Sequence, residues 1–250
     1  MSGHNKWSSI KHKKGAADAQ RGKLFSRLAR ELTVAAREGG GEADTNPRLR
    51  TVIGKCKEAN MPADNIQRAI KKGTGELPGV VYEEVMYEGY GQGGVALLIQ
   101  ALTDNKNRTT GEVRSTLNKR GGNLAGAGSV AWQFSSKGYI VVEKEKGEEE
   151  TVMNIVIEAG AEDFVVEDSC YEITTEPMEL ERVKQALENA GVVYQSAELT
   201  MVPASTVKVE GSDAKTLLGL ISALEDCEDV QNVYANFDIS DELLEELSSE

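Results

Sequence analysis

Apolar residues recur along the first third of the chain at three- and four-residue spacing. Leu24, Phe25, Leu28, Leu32 and Ala35 form one such stripe, which predicts an amphipathic helix from Asp18, a suitable N-cap, to the glycine stop at 39–41. Asn46 as cap and Pro47 at the first helical position open a second helix, which turns Leu49, Val52, Ile53 and Cys56 inward and ends near Asn60, before Pro62. A third helix runs from Pro62 or Ala63 through Ile66, Ala69 and Ile70 to Gly73. Three short amphipathic helices of this kind can bury their stripes against one another as a small bundle. The segment from Trp7 to Lys14 ahead of them is a basic arm with one aromatic, too short to bury itself.

Beyond Gly73 the period changes from 3.6 to 2. Val80 to Glu88 and Val95 to Leu102 read as strands joined by the glycine-rich stretch 89–94. That stretch matches G-x-G-x-x-G, and Gly126, Gly128 and Ala131 match its looser form. Both are followed by what reads as a strand (Ser129 to Phe134 in the second case) rather than a helix, so the dinucleotide fingerprint fails on context. Thr109 with Glu112 forms a capping box, predicting a helix that begins directly after a strand and runs through Val113 and Leu117 to Gly121. Residues 136–203 then follow βαββαβ order, the signature of a ferredoxin-like unit. Lys137 to Tyr139 matches the start of an RNA-recognition strand, but the aromatics that should follow are absent. The remainder, a short strand at 207–209, a helix from Asp213 to Leu224 and a strand from Val230 to Phe237, is too small to stand alone and supplies what 80–134 lacks. The expected fold class is therefore α+β. An N-terminal three-helix domain (1–75) precedes two two-layer α/β sandwich, ferredoxin-like domains. One of these (136–203) is inserted in the other, a discontinuous middle domain (76–135 plus 204–250).

Composition narrows the function. The chain has 250 residues, 40% of them hydrophobic and 28% charged, which is globular rather than disordered. Its longest apolar runs fall far short of the roughly 20 residues of a membrane span. The N-terminus carries no apolar leader segment, so a cytoplasmic protein with no membrane partner is expected. Three cysteines, far apart and without a C-x-x-C pair, suggest neither a disulfide framework nor a zinc site. Two histidines, both in the arm, cannot assemble a triad in the body, and no G-x-x-x-x-G-K-[ST] exists. No enzyme activity, cofactor or metal is expected, although the abundant carboxylates leave a Mg²⁺ site open.

Charge changes the picture most. The formal net charge is −13, yet residues 1–72 hold 16 Lys and Arg against 7 Asp and Glu, while residues 151–250 hold 4 against 23. A basic head on an acidic body points to a polyanionic partner. At about 100° per residue, Lys23, Arg27, Arg30 and Arg37 share a second stripe of the first helix, expected to be solvated. The junction from Thr103 to Arg114 places Lys106, Arg108 and Arg114 beside a helix N-terminus, where phosphate is favoured; an ordinary polar turn explains the same residues. Lys71 and Lys72 can equally serve the dipole of their helix's last turn.

Several unusual strings occur in order: Ser2 to Trp7, Ile10 to Lys14, Asp18 to Phe25, Asn46 to Arg50, Asn60 to Pro62 with Ile66 to Lys72, Tyr87 to Gly91 and Leu102 to Thr109. From residue 2 to about 240 the chain resembles the YebC/PmpR family. The resemblance implies a helical N-terminal domain followed by two α+β domains, the third inserted in the second. It also implies a DNA-binding transcriptional regulator, while mitochondrial relatives are translational activators and bacterial members are linked to the ribosome. The expectation is a non-catalytic binder of phosphate backbone, whose partner is DNA or ribosomal or transfer RNA. One alternative is a translation factor acting on the ribosome; another is an interaction module docking an acidic protein. The acidic domains are expected to contact the ribosome or another protein, and the chain to be a monomer. Candidate nucleic-acid-binding residues are Lys6, Trp7, Lys11, His12, Lys13 and Lys14 in the arm; Arg21, Lys23, Arg27, Arg30, Arg48, Arg50, Lys71 and Lys72 in the helices; and Asn105, Lys106, Asn107, Arg108 and Arg114 at the junction.

Overall fold

The computed structural model describes residues 18–167, 169–240 and 243. The chain divides into two compact units, Met1–Ala131 with Thr206–Glu250, and Trp132–Ser205. The first begins with helices α1 (Asp18–Gly39), α2 (Pro47–Glu58) and α3 (Ala63–Gly73). Leu28, Leu32, Ala35, Leu49, Val52, Cys56, Ile66 and Ile70 form their shared core. Leu24 does not join it: cover over the stripe begins at Phe25, and Leu24 is 41% exposed.

The boundaries of these helices have local causes. Asn46 accepts from the Leu49 amide while its own amide group donates to Ala35 and Gly40 carbonyls, so one side chain caps α2 and ties it to the end of α1. Asn60 takes a left-handed φ of 56°, and the Met61 amide reaches back to the Cys56 carbonyl, closing α2 before Pro62 starts the next turn. Gly73 lies so close to α1 that a Cβ there would stand 2.4 Å from the Thr33 carbonyl oxygen.

A four-stranded antiparallel sheet completes the first unit. Strands β1 (Glu83–Tyr90) and β2 (Ala96–Thr103) form a hairpin in which Gly93 and Gly94 supply positive φ. Helix α4 (Lys106–Lys119) follows, and then β3 (Asn123–Leu124) pairs with β1. From beyond the second unit come α7 (Gly211–Glu225) and β9 (Val230–Ala235), the latter pairing with β2. Val95, Leu97, Ile99 and Ala101 meet Val113 and Leu117 of α4 and Leu217, Ile221 and Leu224 of α7 in one core. A short parallel pair, β8 (Val207–Lys208) with β10 (Phe237–Asp238), borders it.

Three local expectations change here. The first strand starts at Glu83, leaving Val80 and Val81 outside the sheet, 51% and 65% exposed. Helix α4 starts at Lys106, capped by Asn105, because the Asn105 side chain accepts from the Arg108 amide; Thr109 lies inside the helix. The segment 129–133 is a bend and a single 3₁₀ turn rather than a strand.

The second unit runs β4 (Phe134–Glu143), α5 (Glu149–Glu158), β5 (Ala161–Val166), β6 (Cys170–Thr175), α6 (Leu180–Asn189) and β7 (Ser196–Pro203). Its antiparallel sheet has the order β5-β6-β4-β7, the ferredoxin-like arrangement, with Ile140, Val142, Ile173, Val156, Val183 and Leu187 at the helix–sheet core. The fold is α+β, helical first and sheet-rich after. Tyr139 is only 6% exposed and Lys137 is paired with Glu162 and Glu176, so that stretch offers no stacking platform.

Candidate nucleic-acid interface

The second stripe of α1 is not a free solvated face. Lys23 Nζ lies 2.9 Å from Asp226 Oδ1. Arg30 donates to the Glu228 carboxylate and carbonyl and stands 3.6 Å from Asp229. Between them Arg27 faces Glu225 and Asp226; burial lowers its pKa, and the two carboxylates only partly restore it. Four residues further along from Arg30, Val34 is 1% exposed, although it is outside the bundle's core. Arg30 also sits over the Tyr82 ring at 5.7 Å. The stripe is therefore the seam by which the bundle packs on the corner between α7 and β9. Lys23, Arg27 and Arg30 meet carboxylates of their own chain there, which is the physical reason the expectation of solvation fails.

The junction at 103–109 is organised by the same corner. Asp229, 2% exposed, accepts from Arg108 Nη2 at 2.7 Å, Thr109 Oγ1 at 2.7 Å and Thr103 Oγ1 at 3.2 Å. Arg108 reaches Asp104 at 2.7 Å as well. Burial pushes the Asp229 carboxyl up, but hydrogen bonds from Arg108 and Thr109 and the charges of Arg108 and Arg30 outweigh it, leaving the group below the usual aspartate range. The Arg108 pKa is raised by the same bonds to Asp229 and Asp104. These polar residues thus serve the fold itself, tying the end of β2 and the start of α4 to the acidic corner. Arg108 remains half-exposed and Asn107 exposed, so an outer face persists at the junction.

Other candidates divide in the same way. Arg48 pairs with Glu38 and Glu84, Arg50 donates to the carbonyls of Ala43 and Asp44, and Lys106 holds Glu83 at 2.5 Å. The Lys106 contact lowers the Glu83 pKa, and the nearby Arg37 charge adds to it. Arg21, Lys71, Lys72 and Arg114 are exposed and pair with no carboxylate among the described residues. Arg68 is a further exposed cation of the same helix as Lys71 and Lys72. Lys6, Trp7, Lys11, His12, Lys13 and Lys14 lie outside the described residues. What the sequence reading missed is the acidic partner of the stripe. Its signal was the run from Glu225 to Asp229, with four carboxylates in five positions.

The second glycine motif also has an internal ligand. The Glu88 carboxylate, in a residue 7% exposed, accepts from the amides of Gly128, Val130 and Ala131 at 2.7, 2.6 and 2.9 Å. Burial alone would raise the Glu88 pKa, and these backbone bonds bring it below the normal glutamate value. Among the described residues no group of three or more His, Cys, Asp and Glu is arranged to hold a metal ion, and no helix is long and apolar enough to cross a membrane.

Known proteins place the chain clearly. Residues 5–76 match the TACO1/YebC protein N-terminal domain, and residues 82–237 the TACO1/YebC second and third domain. A "Probable transcriptional regulatory protein" of Geobacter sulfurreducens is 57% identical over 247 residues, covering 99% of this chain and all of the relative. One of the same name from Desulforapulum autotrophicum is 54% identical over 243 residues, 97% of this chain and 98% of that one. The crystal structure of a conserved hypothetical protein from Aquifex aeolicus superposes with a TM-score of 0.82 at 51% identity, covering 94% of this chain and 97% of that one. With both parts of the family pattern matched in order and full-length relatives above half identity, this chain belongs to the TACO1/YebC family.

Proposed function

We propose that the protein is a non-catalytic regulator of gene expression that binds nucleic acid through its basic N-terminal region, chiefly by phosphate contacts. The carrying observation is the segregation of charge. The first 17 residues contain four lysines and no acid, and residues 1–72 hold 16 cations against 7 anions in a chain of net charge −13. Exposed Arg21, Arg68, Lys71 and Lys72 continue that charge onto the bundle. The names of the relatives, transcriptional regulatory proteins, favour DNA as the partner. Candidate side chains for base edges, such as Asn5 and Asn65, are scattered, whereas cations are abundant, so affinity is expected to come from the backbone. The acidic remainder repels a polyanion and orients the approach so that the basic end leads.

Replacing Lys11, Lys13 and Lys14 together with alanine tests this. Each lost phosphate contact should reduce the slope of log affinity against log salt by roughly 0.7–0.9. An unchanged slope in that triple variant would remove the arm from the interface. In-cell crosslinking followed by sequencing of the attached nucleic acid identifies the partner: discrete promoter peaks support DNA, and a predominance of ribosomal or transfer RNA overturns the transcriptional reading.

A further inference from the structure

The seam between α1 and the corner 225–229 has two unequal halves. Its inner half is closed: the Arg30 and Asp229 side chains are 10% and 3% exposed, and Asp229 Oδ2 accepts from Arg108, Thr103 and Thr109. Its outer half is open to water: the Lys23 and Asp226 side chains are 56% and 70% exposed, and their single contact is an ordinary surface ion pair. Arg27, one turn from each of Lys23 and Arg30, is desolvated beside the charges of Glu225 and Asp226. A buried hub resists exchange because removing one partner strands a charge, whereas an exposed pair in high dielectric is held by little and exchanges readily.

We propose that the outer half of this seam is an intramolecular competitor for phosphate. Glu225 and Asp226 occupy the cations Lys23 and Arg27, and a nucleic-acid backbone displaces those carboxylates to take the two cations while the Arg30–Asp229–Arg108 hub keeps the bundle in place. The proposal rests on the reading of the basic end as a polyanion binder and adds its regulation: weak or isolated anions do not outcompete the tethered carboxylates, and a polyanion already held elsewhere on the basic surface does. Displacement breaks no covalent bond and needs no movement of the buried hub.

The test is a binding titration of the full chain against a short duplex DNA and an RNA hairpin of matched length, comparing wild type, Asp226→Asn, Asp213→Asn and Lys23→Ala with Asp226→Asn. Asp213 is an exposed acid in the first turn of α7 and controls for the change in net charge. At 1.5 Å rise per residue it lies roughly 20 Å along the helix from the seam, beyond a Debye length of about 10 Å at moderate salt. Asp226→Asn should tighten binding about fivefold at low salt, more than Asp213→Asn, with the gain shrinking as salt rises. In the Lys23→Ala background the gain should shrink, because one of the two competed cations, the one paired directly with Asp226, is gone. Unfolding midpoints of all variants confirm that the fold is intact, as expected for exposed side chains. If wild type binds and Asp226→Asn only equals Asp213→Asn, the competitor is overturned and the nucleic-acid reading stands. If neither wild type nor any variant binds either probe, that reading falls and the competitor with it.

Discussion

At the scale of single residues, the buried carboxylates are held by donors that neutral substitutes cannot satisfy. Glu88 gathers three backbone amides around one carboxylate, and Asp229 two hydroxyls and an arginine. Glu88→Gln presents an NH₂ to a ring of donors and should cost roughly 1–3 kcal/mol, read as a lower urea midpoint with unchanged m-value. Both carboxyls titrate below their ordinary values in the folded protein. Their stabilisation is therefore complete well above the unfolded values of about 3.9 and 4.3, begins to fall as the unfolded groups protonate, and is lost as pH passes through the lower folded values. Equilibrium unfolding from pH 7 down to 3 should show that loss, and Glu88→Gln should flatten it. The Cys56 thiol behaves oppositely: burial raises its pKa to about 11. Thiol-specific alkylation of folded protein at pH 8 should leave Cys56 unmodified. None of these partners is legible in the sequence, because Glu88 and Gly128 stand 40 positions apart and Asp229 and Arg108 stand 121 apart.

At the scale of elements, short-range signals are legible where the determining contacts are themselves short-range. Asn46 with Pro47 starts α2 as its spacing indicates, and Asn60 ends it in the conformation that asparagine tolerates. Asn46→Ala removes the cap and two further bonds from a 4%-exposed side chain and should cost about 2 kcal/mol, measurable by thermal unfolding. The start of α4 differs from its sequence signal because two capping residues compete. Thr109 satisfies the capping-box pattern with Glu112, but its hydroxyl is drawn to Asp229 and Thr103, leaving Asn105 to cap. Asn105 thus caps the helix, whereas Asn107 is an exposed side chain at the junction.

At the scale of the first compact unit, one carboxylate joins three segments distant in sequence: α1 through Arg30, the β2–α4 junction through Arg108 and Thr109, and its own loop before β9. Asp229→Asn leaves Arg30 with Glu228 and Arg108 with Asp104 but turns an amide NH₂ toward buried donors, and should destabilise by roughly 1–3 kcal/mol; limited proteolysis should then cut between α3 and β1 faster than in wild type. The sequence by itself determined the helical bundle, the order of the longer strands and helices though not the short β3 or the turn at 129–133, the α+β class and the separation of a basic end from an acidic remainder, since periodicity, caps, glycine stops and charge counts act over a few residues or over none in particular. Only the tertiary structure decided which of the cations are free. A lysine or arginine shows its charge in the sequence but not its partner, and here folding brings the carboxylates of 225–229 against a helix some 200 positions away. The stripe that looked most like a docking face thereby became an internal seam, leaving the outward charge to the exposed cations of α1, α3 and α4.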